Sequence, residues 1–222
     1  MPARERAVDW DRMVDALRPL PRRIEEALRR VPRHCFVPND QLGDAYEDEP
    51  LPLPEADATI SAPHMVGLQL EAANLQPGQR VAEIGAGFGY LSALLGELVG
   101  PTGRVIAIEV APSLSREAHR RLRSLGYTPR VDVVTGDGRS ILAPHHQFDR
   151  ILVSCATPRL EPTWVEALRP DGILVAPVGN RYEQRLVTYR VSPDGSTERH
   201  GPLCRFVSIH RPVRHGIYRP AK

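Results

Sequence analysis

Lysine is nearly absent from this chain: Lys222 is the sole one, and every other basic residue among its 29 is an arginine. Together with 22 prolines, that bias points to a GC-rich coding sequence and carries no information about activity. Cysteine is scarce too. Cys35, Cys155 and Cys204 are odd in number, far apart and in no C-x-x-C pair, which argues against a disulfide framework or a thiolate zinc site and fits a reducing cytoplasm. Long apolar runs are missing. Arg4, Glu5, Arg6, Asp9 and Asp11 interrupt the N-terminus, leaving no secretory core segment, and nowhere does the chain approach the roughly 20 apolar residues of a membrane helix. A soluble, cytoplasmic protein with no membrane partner is expected. Charge of one sign is lacking as well: 29 basic residues face 27 acidic ones for a net of +2, so nucleic acid is not an expected partner. There is no internal repeat or low-complexity tract.

What is present is material for one sizeable core, with 222 residues of which 41% are hydrophobic. The expected organisation is N-terminal helices and a substrate-side loop over 1–60, then a Rossmann-like domain with C-terminal edge strands over 61–222, forming one folded unit and acting as a monomer. Val8, Met13, Val14 and Leu17 predict a helix over 8–18, and after Pro21 the run Ile24, Ala27, Leu28, Val31 predicts a second. Residues 32–63, rich in Pro, Asp and Glu, read as a loop, and one this long inside a compact protein is functional or disordered. Ser61-Ala62-Pro63 resembles a helix N-cap followed by a proline in the first turn, with Met65, Leu68, Ala72 and Leu75 along one face of a helix over 63–75.

Beyond Pro77-Gly78, strands at 80–84, 104–108, 131–135, 148–154 and 173–178 interleave with helices at 90–98, 112–125 and 162–169. That pattern predicts an α/β fold whose mostly parallel sheet is covered on both faces. Residues 184–191 and 203–209 alternate around Pro193-Asp194-Gly195 and predict an antiparallel pair closing one edge.

The chemistry concentrates at strand tips. Val81-Ala82-Glu83-Ile84 runs into Gly85-Ala86-Gly87-Phe88-Gly89-Tyr90, placing three glycines at a strand-to-helix turn where backbone can approach a ligand. The G-x-G-x-G spacing differs from the G-x-G-x-x-G of dinucleotide folds. About 20 residues on, Glu109 ends the next strand, where a carboxylate can accept both hydroxyl hydrogens of a ribose. The strand after that ends at Gly136-Asp137-Gly138, with a carboxylate suited to an adenine amino group. Singly, each acid reads as a solvated loop residue; in this order the three tips describe an adenosine pocket.

With those residues in view, the chain resembles the protein-L-isoaspartate (D-aspartate) O-methyltransferases from about Val31 to Val207. The most specific match is Asp48-Glu49-Pro50-Leu51-Pro52-Leu53 followed by Ala58-Thr59-Ile60-Ser61-Ala62-Pro63-His64-Met65. Val31-Pro32-Arg33, Phe36-Val37-Pro38, Phe148-Asp149, Leu168-Arg169-Pro170-Asp171-Gly172 and Pro177-Val178-Gly179 support it. The resemblance implies a class I methyltransferase fold, S-adenosyl-L-methionine as donor with S-adenosyl-L-homocysteine as product, no metal, and isoaspartyl-containing proteins or peptides as partners. It implies methylation of the isoaspartyl α-carboxyl group, after which uncatalysed succinimide formation and hydrolysis partly restore aspartate. Ser61 matches the active-site serine. Ala58, Thr59, Ile60 and His64 match the segment over donor and substrate, while Glu83, Gly85, Gly87, Gly89, Glu109, Asp137 and Gly138 match donor-binding positions.

This reaction asks little acid–base work of the protein, because a carboxylate of reference pKa near 4 is already ionised at pH 7 and can attack a sulfonium methyl directly. Catalysis is then positioning, desolvation and alignment. No Ser-His-Asp set is needed, and Ser61 is cast as a hydrogen-bond donor to the acceptor carboxylate, in competition with its N-cap role. His145-His146 reads as a solvated loop, Cys155 as small buried filler near the pocket and Trp164 as core. Two stretches depart from the family pattern, Ser154-Cys155-Ala156-Thr157-Pro158 and Val207-Ser208-Ile209-His210 with the basic tail to Lys222. They leave open an aspartate methyltransferase serving one dedicated precursor peptide, or a donor-binding partner protein without turnover. A nucleic-acid methyltransferase is disfavoured, since no Asn-Pro-Pro-Tyr type motif is present.

Overall fold

The computed structural model describes residues 3–17, 19–54, 57–140, 142 and 147–209. Two helices, α1 (Ala3–Ala16) and α2 (Arg22–Arg30), lead to a small antiparallel pair, β1 (Leu51–Pro52) and β2 (Thr59–Ile60), and then to α3 (Pro63–Ala73). The alternating core follows as β3 (Arg80–Ile84), α4 (Tyr90–Val99), β4 (Arg104–Glu109), α5 (Pro112–Ser124), β5 (Val131–Thr135), β6 (Phe148–Val153), α6 (Pro162–Glu166) and β7 (Leu168–Gly179). It ends in β8 (Gln184–Ser192) and β9 (Gly195–Cys204).

These strands form one seven-stranded sheet in the order β5-β4-β3-β6-β7-β8-β9. Strands β5 through β7 in that order pair in parallel, and β8 and β9 add antiparallel at one edge. Val81, Ala82, Glu83 and Ile84 of β3 are all buried, as expected of a central strand covered on both faces. Chain order reverses at β3, which has β4 on one side and β6 on the other. Ligand crevices of open α/β sheets lie at the carboxyl ends of strands at such a point.

Trp10, Met13, Ile24 and Leu28 of the first two helices belong to the same apolar cluster as Leu70, Leu94 and Val105. Trp10 is anchored as its indole Nε1–H donates to the Leu28 carbonyl at 2.9 Å. Arginines tie helix ends into this packing. The Arg23 guanidinium donates to the carbonyls of Leu75 (3.0 Å) and Leu98 (2.9 Å), and that of Arg150 to those of Ala73 (2.6 Å) and Asn74 (3.2 Å). Carbonyls in the last turn of a helix have no intrahelical partner, so these contacts satisfy groups that burial would otherwise strand. No helix among the described residues is long and apolar enough to cross a membrane.

Several local expectations need correction. The last strand is not 203–209: the chain reverses across Pro193-Asp194, Ser192 pairs with Gly195, and β9 runs from there to Cys204. As an exposed edge strand, β9 carries polar residues on both faces, so hydropathy does not mark it. Residues 205–209 instead cross to the tip of β6, where Ala156 N–H donates to the Val207 carbonyl (2.7 Å) and Ile209 N–H to the Ala156 carbonyl (2.8 Å). Helix α6 stops at Glu166 and β7 starts earlier than expected, at Leu168. The 32–63 loop contains two short 3-10 turns and the β1–β2 pair. Ser61 is not the N-cap of α3. That position is Ala62, with no side-chain cap of its own, and the helix N–H of His64 donates to Asp48 Oδ1 at 2.8 Å. Arg18, His145-His146, His210 and the basic tail lie outside the described residues.

Candidate active site

The carboxyl ends of β3, β4 and β5 open into a cavity. The turn after β3 forms its floor. Gly85, Gly87 and Gly89 all have positive φ, at 88°, 55° and 89°, a region that side chains with a Cβ rarely adopt. A Cβ on Gly138, across the cavity, would sit 2.5 Å from Ile84 Cγ2, so the tips of β5 and β3 pack together only because this residue has no side chain.

Glu109 closes the loop between two of these tips. Its Oε2 accepts the Gly87 N–H at 2.8 Å and its Oε1 the Ala111 N–H at 2.9 Å, which fixes the buried carboxylate at the rim of the cavity. Asp137 is held by Arg139, which donates its backbone N–H and Nε–H to Oδ1 (3.0 and 2.9 Å) and Nη2–H to Oδ2 (2.6 Å). Helix α6 supports this loop: Trp164 Nε1–H donates to the Gly138 carbonyl at 2.8 Å and the Thr163 hydroxyl to that of Arg139 at 2.8 Å. The buried Cys155 thiol is pushed up to about 12 by desolvation, then by the charge of Glu109, so it stays a neutral wall of the cavity.

A second cavity lies beside the glycine turn and shares Thr59, Gly85, Gly87 and Ser154 with the first. Its lining sets the polar groups of Gln69, Glu83, Tyr90 and Ser154 among apolar side chains. Glu83, almost wholly buried, accepts the Ser92 hydroxyl at 2.5 Å; burial outweighs that bond and raises its pKa to about 8. Gln69 donates Nε2–H to the Val153 carbonyl at 3.1 Å, but its Oε1 has no hydrogen-bond partner among the described residues, nor have Tyr90 Oη and Ser154 Oγ. Buried polar atoms left this way signal an occupant.

Of the residues singled out from sequence, Ala58, Thr59, Gly85, Gly87, Glu109, Asp137 and Gly138 line the first cavity. Thr59, Ile60, Ser61, Glu83, Gly85 and Gly87 line the second. Two line neither. The His64 ring pairs with Asp48 at 3.0 Å, half exposed, and Gly89 precedes α4, where a Cβ would come within 3.0 Å of Leu122 Cδ1. Sequence reasoning passed over Gln69 and Tyr90, and it singled out Val207–Ile209 as a departure from the family pattern where substrate contacts could be while assigning them to a strand. A polar residue on the buried face of α3 was the available signal for Gln69.

The glycine turn, an acid at the next tip and a second acid one strand further on stand in one crevice, in the order of an adenosine-binding methyltransferase. The sequence profile described as Protein-L-isoaspartate(D-aspartate) O-methyltransferase (PCMT) matches residues 13–212. The chain belongs to this family. A protein-L-isoaspartate O-methyltransferase of Methanopyrus kandleri is 42% identical over 209 residues, covering 93% of this chain and 91% of that protein. One from Aeropyrum pernix is 46% identical over 188 residues, covering 83% and 72%. A solved protein-L-isoaspartate O-methyltransferase superposes with a TM-score of 0.81 at 25% identity, covering 93% of this chain and 66% of that one. A Plasmodium falciparum protein of the same family name, in complex with S-adenosyl-L-homocysteine, superposes with a TM-score of 0.80 at 21% identity and shows the shared fold.

Proposed function

We propose that this protein methylates the α-carboxylate of L-isoaspartyl residues in damaged proteins or peptides, with S-adenosyl-L-methionine as donor, and so initiates their return to aspartate through a succinimide. The observation that carries the reading is the pair of joined cavities. One is lined by the glycine turn, Glu109 and Asp137, a set that suits an adenosine, and the other has buried polar atoms without partners among the described residues and is lined in part by Ser61.

The residues present fit the donor. Glu109 offers lone pairs to ribose hydroxyls and Asp137 to an adenine amino group. In the second cavity Gln69 Oε1 and Glu83 suit an ammonium, and the hydroxyls of Tyr90 and Ser154 suit a carboxylate, which together make the amino-acid end of the donor. When bound, the donor supplies an electrophilic methyl on a sulfonium. The acceptor carboxylate oxygen forms the new C–O bond as the C–S bond breaks, leaving a methyl ester and a neutral thioether, with no proton to move. The protein's part is to hold, align and exclude water. The Ser61 hydroxyl makes no hydrogen bond among the described residues and is available to orient the acceptor.

A methyl-transfer assay with matched peptides carrying L-isoaspartyl, L-aspartyl or D-aspartyl at one position tests this. Transfer to the isoaspartyl peptide is expected. Transfer confined to the L-aspartyl peptide, or none to any of the three, overturns the proposal.

A further inference from the structure

Arg33 is completely buried, and its hydrogen bonds among the described residues go to carbonyls and to no carboxylate, with the charge of Asp48 acting only through space. Its Nε has no partner among the described residues, and its two Nη groups are spent on backbone. Nη1–H groups reach the carbonyls of Ala45 (3.1 Å) and Glu47 (3.2 Å), and Nη2–H groups those of Glu49 (2.8 Å) and Ser61 (3.3 Å). Burying a cation without a hydrogen-bonded anion is costly, so a fold keeps such a group where its geometry is needed.

The four acceptors are the two ends of a single excursion. Between Glu49 and Ser61 the chain makes the β1–β2 pair, whose far side supplies Asp57, Ala58 and Thr59 to the donor cavity and sets Leu53 close enough that a Cβ on Gly87 would come within 3.1 Å of its Cδ1. The same root carries Asp48, between the held carbonyls of Glu47 and Glu49, and Asp48 in turn caps α3 at His64, three residues after Ser61. One planar fork thus holds the flap over the donor and the backbone of Ser61 in a fixed relation.

We propose that Arg33 is a positioning residue for methyl transfer, which clamps the root of the 45–61 flap to the Ser61 carbonyl and so sets the acceptor side of the site before substrate arrives. The proposal rests on the acceptor role given to Ser61 above. A lysine cannot replace the clamp, because its three donors radiate from one nitrogen and cannot span four carbonyls.

The test is Arg33→Lys, which keeps the charge and removes the fork. At equal folded fraction, kcat/KM for an isoaspartyl peptide is expected to fall at least 30-fold, mainly through a raised peptide KM. The affinity for S-adenosyl-L-homocysteine should fall by less than kcat/KM does, because Glu83, Glu109 and Asp137 still anchor it and only Asp57, Ala58 and Thr59 come from the loosened flap. A variant with a lowered melting temperature but wild-type KM and kcat overturns the proposal and leaves Arg33 structural. If the variant does not fold, amide hydrogen exchange on the wild-type protein without peptide decides: protection of 45–61 like that of α3 supports the clamp, and rapid exchange there while α3 stays protected overturns it. Failure of the wild type to methylate any isoaspartyl peptide would count against the proposed function, and the exchange measurement would still judge the clamp.

Discussion

The carboxylate of Asp48 caps a helix that begins fifteen residues later at Pro63, accepting the backbone N–H of His64 at 2.8 Å and lying 3.0 Å from its ring nitrogen. Because a loop residue does this work, the Ser61 hydroxyl is released from the end of α3. The two residues therefore separate stability from turnover.

Asp48→Ala should cost about 1 kcal/mol of stability, the usual effect of losing an N-cap acceptor. Ser61→Ala should leave the melting temperature nearly unchanged and lower turnover on an isoaspartyl peptide by about tenfold to a hundredfold, the scale of one hydrogen bond to a charged group. Thermal melts beside single-turnover rates check both, and an unaltered rate in Ser61→Ala would withdraw its acceptor role.

Glu109→Ala should weaken S-adenosyl-L-homocysteine binding by roughly 1 to 3 kcal/mol, because the ligand's hydroxyls lose their acceptor and Gly87 N–H loses its own. Calorimetry reads this directly. Unchanged affinity would remove Glu109 from the donor site.

Glu83 should make stability depend on pH. Its folded pKa is raised by burial to about 8, above the ordinary glutamate value of 4.5, so the folded state holds a proton that the unfolded state has lost between those values. Stability from this group is fully present below about 4.5 and is lost as pH rises through about 8, on the order of 4 kcal/mol for a shift of this size. The wild-type melting temperature should therefore fall from pH 5 to pH 9 relative to Glu83→Gln, whose amide oxygen can still accept the Ser92 hydroxyl. Parallel curves for the two proteins would show that Glu83 is ionised throughout.

Methyl transfer should survive exhaustive chelation, since an ionised carboxylate attacking a sulfonium needs no Lewis acid. Activity lost in EDTA and restored by one divalent ion would overturn the mechanism.

What was legible in the sequence was local. Gly85, Gly87, Glu109 and Asp137 stand at strand tips, and a strand followed by a turn is written in consecutive residues, so their convergence follows once the sheet is parallel. The clamp on Ser61 was not legible, because Arg33 reaches carbonyls that carry no side-chain signal. The wall made by Val207, Ser208 and Ile209 was legible only in part: the stretch stood out as a departure from the family pattern, but its apolar alternation looks like a strand, and only the contact with Ala156 takes it out of the sheet's edge. The strand at Gly195–Cys204 was hidden because both its faces meet water. His64 was drawn towards the donor by its neighbours in a motif, whereas its own backbone N–H and ring are bound to Asp48.

The return of residues 205–209 to the tip of β6 also sets an order in time. Every strand of the sheet precedes this segment, so a chain emerging from the ribosome can assemble all seven strands while its donor cavity still lacks a side. Only when Val207, Ser208 and Ile209 have left the exit tunnel is that wall in place. A chain cut after β9 would thus keep every strand of its sheet yet lack that wall of the first cavity.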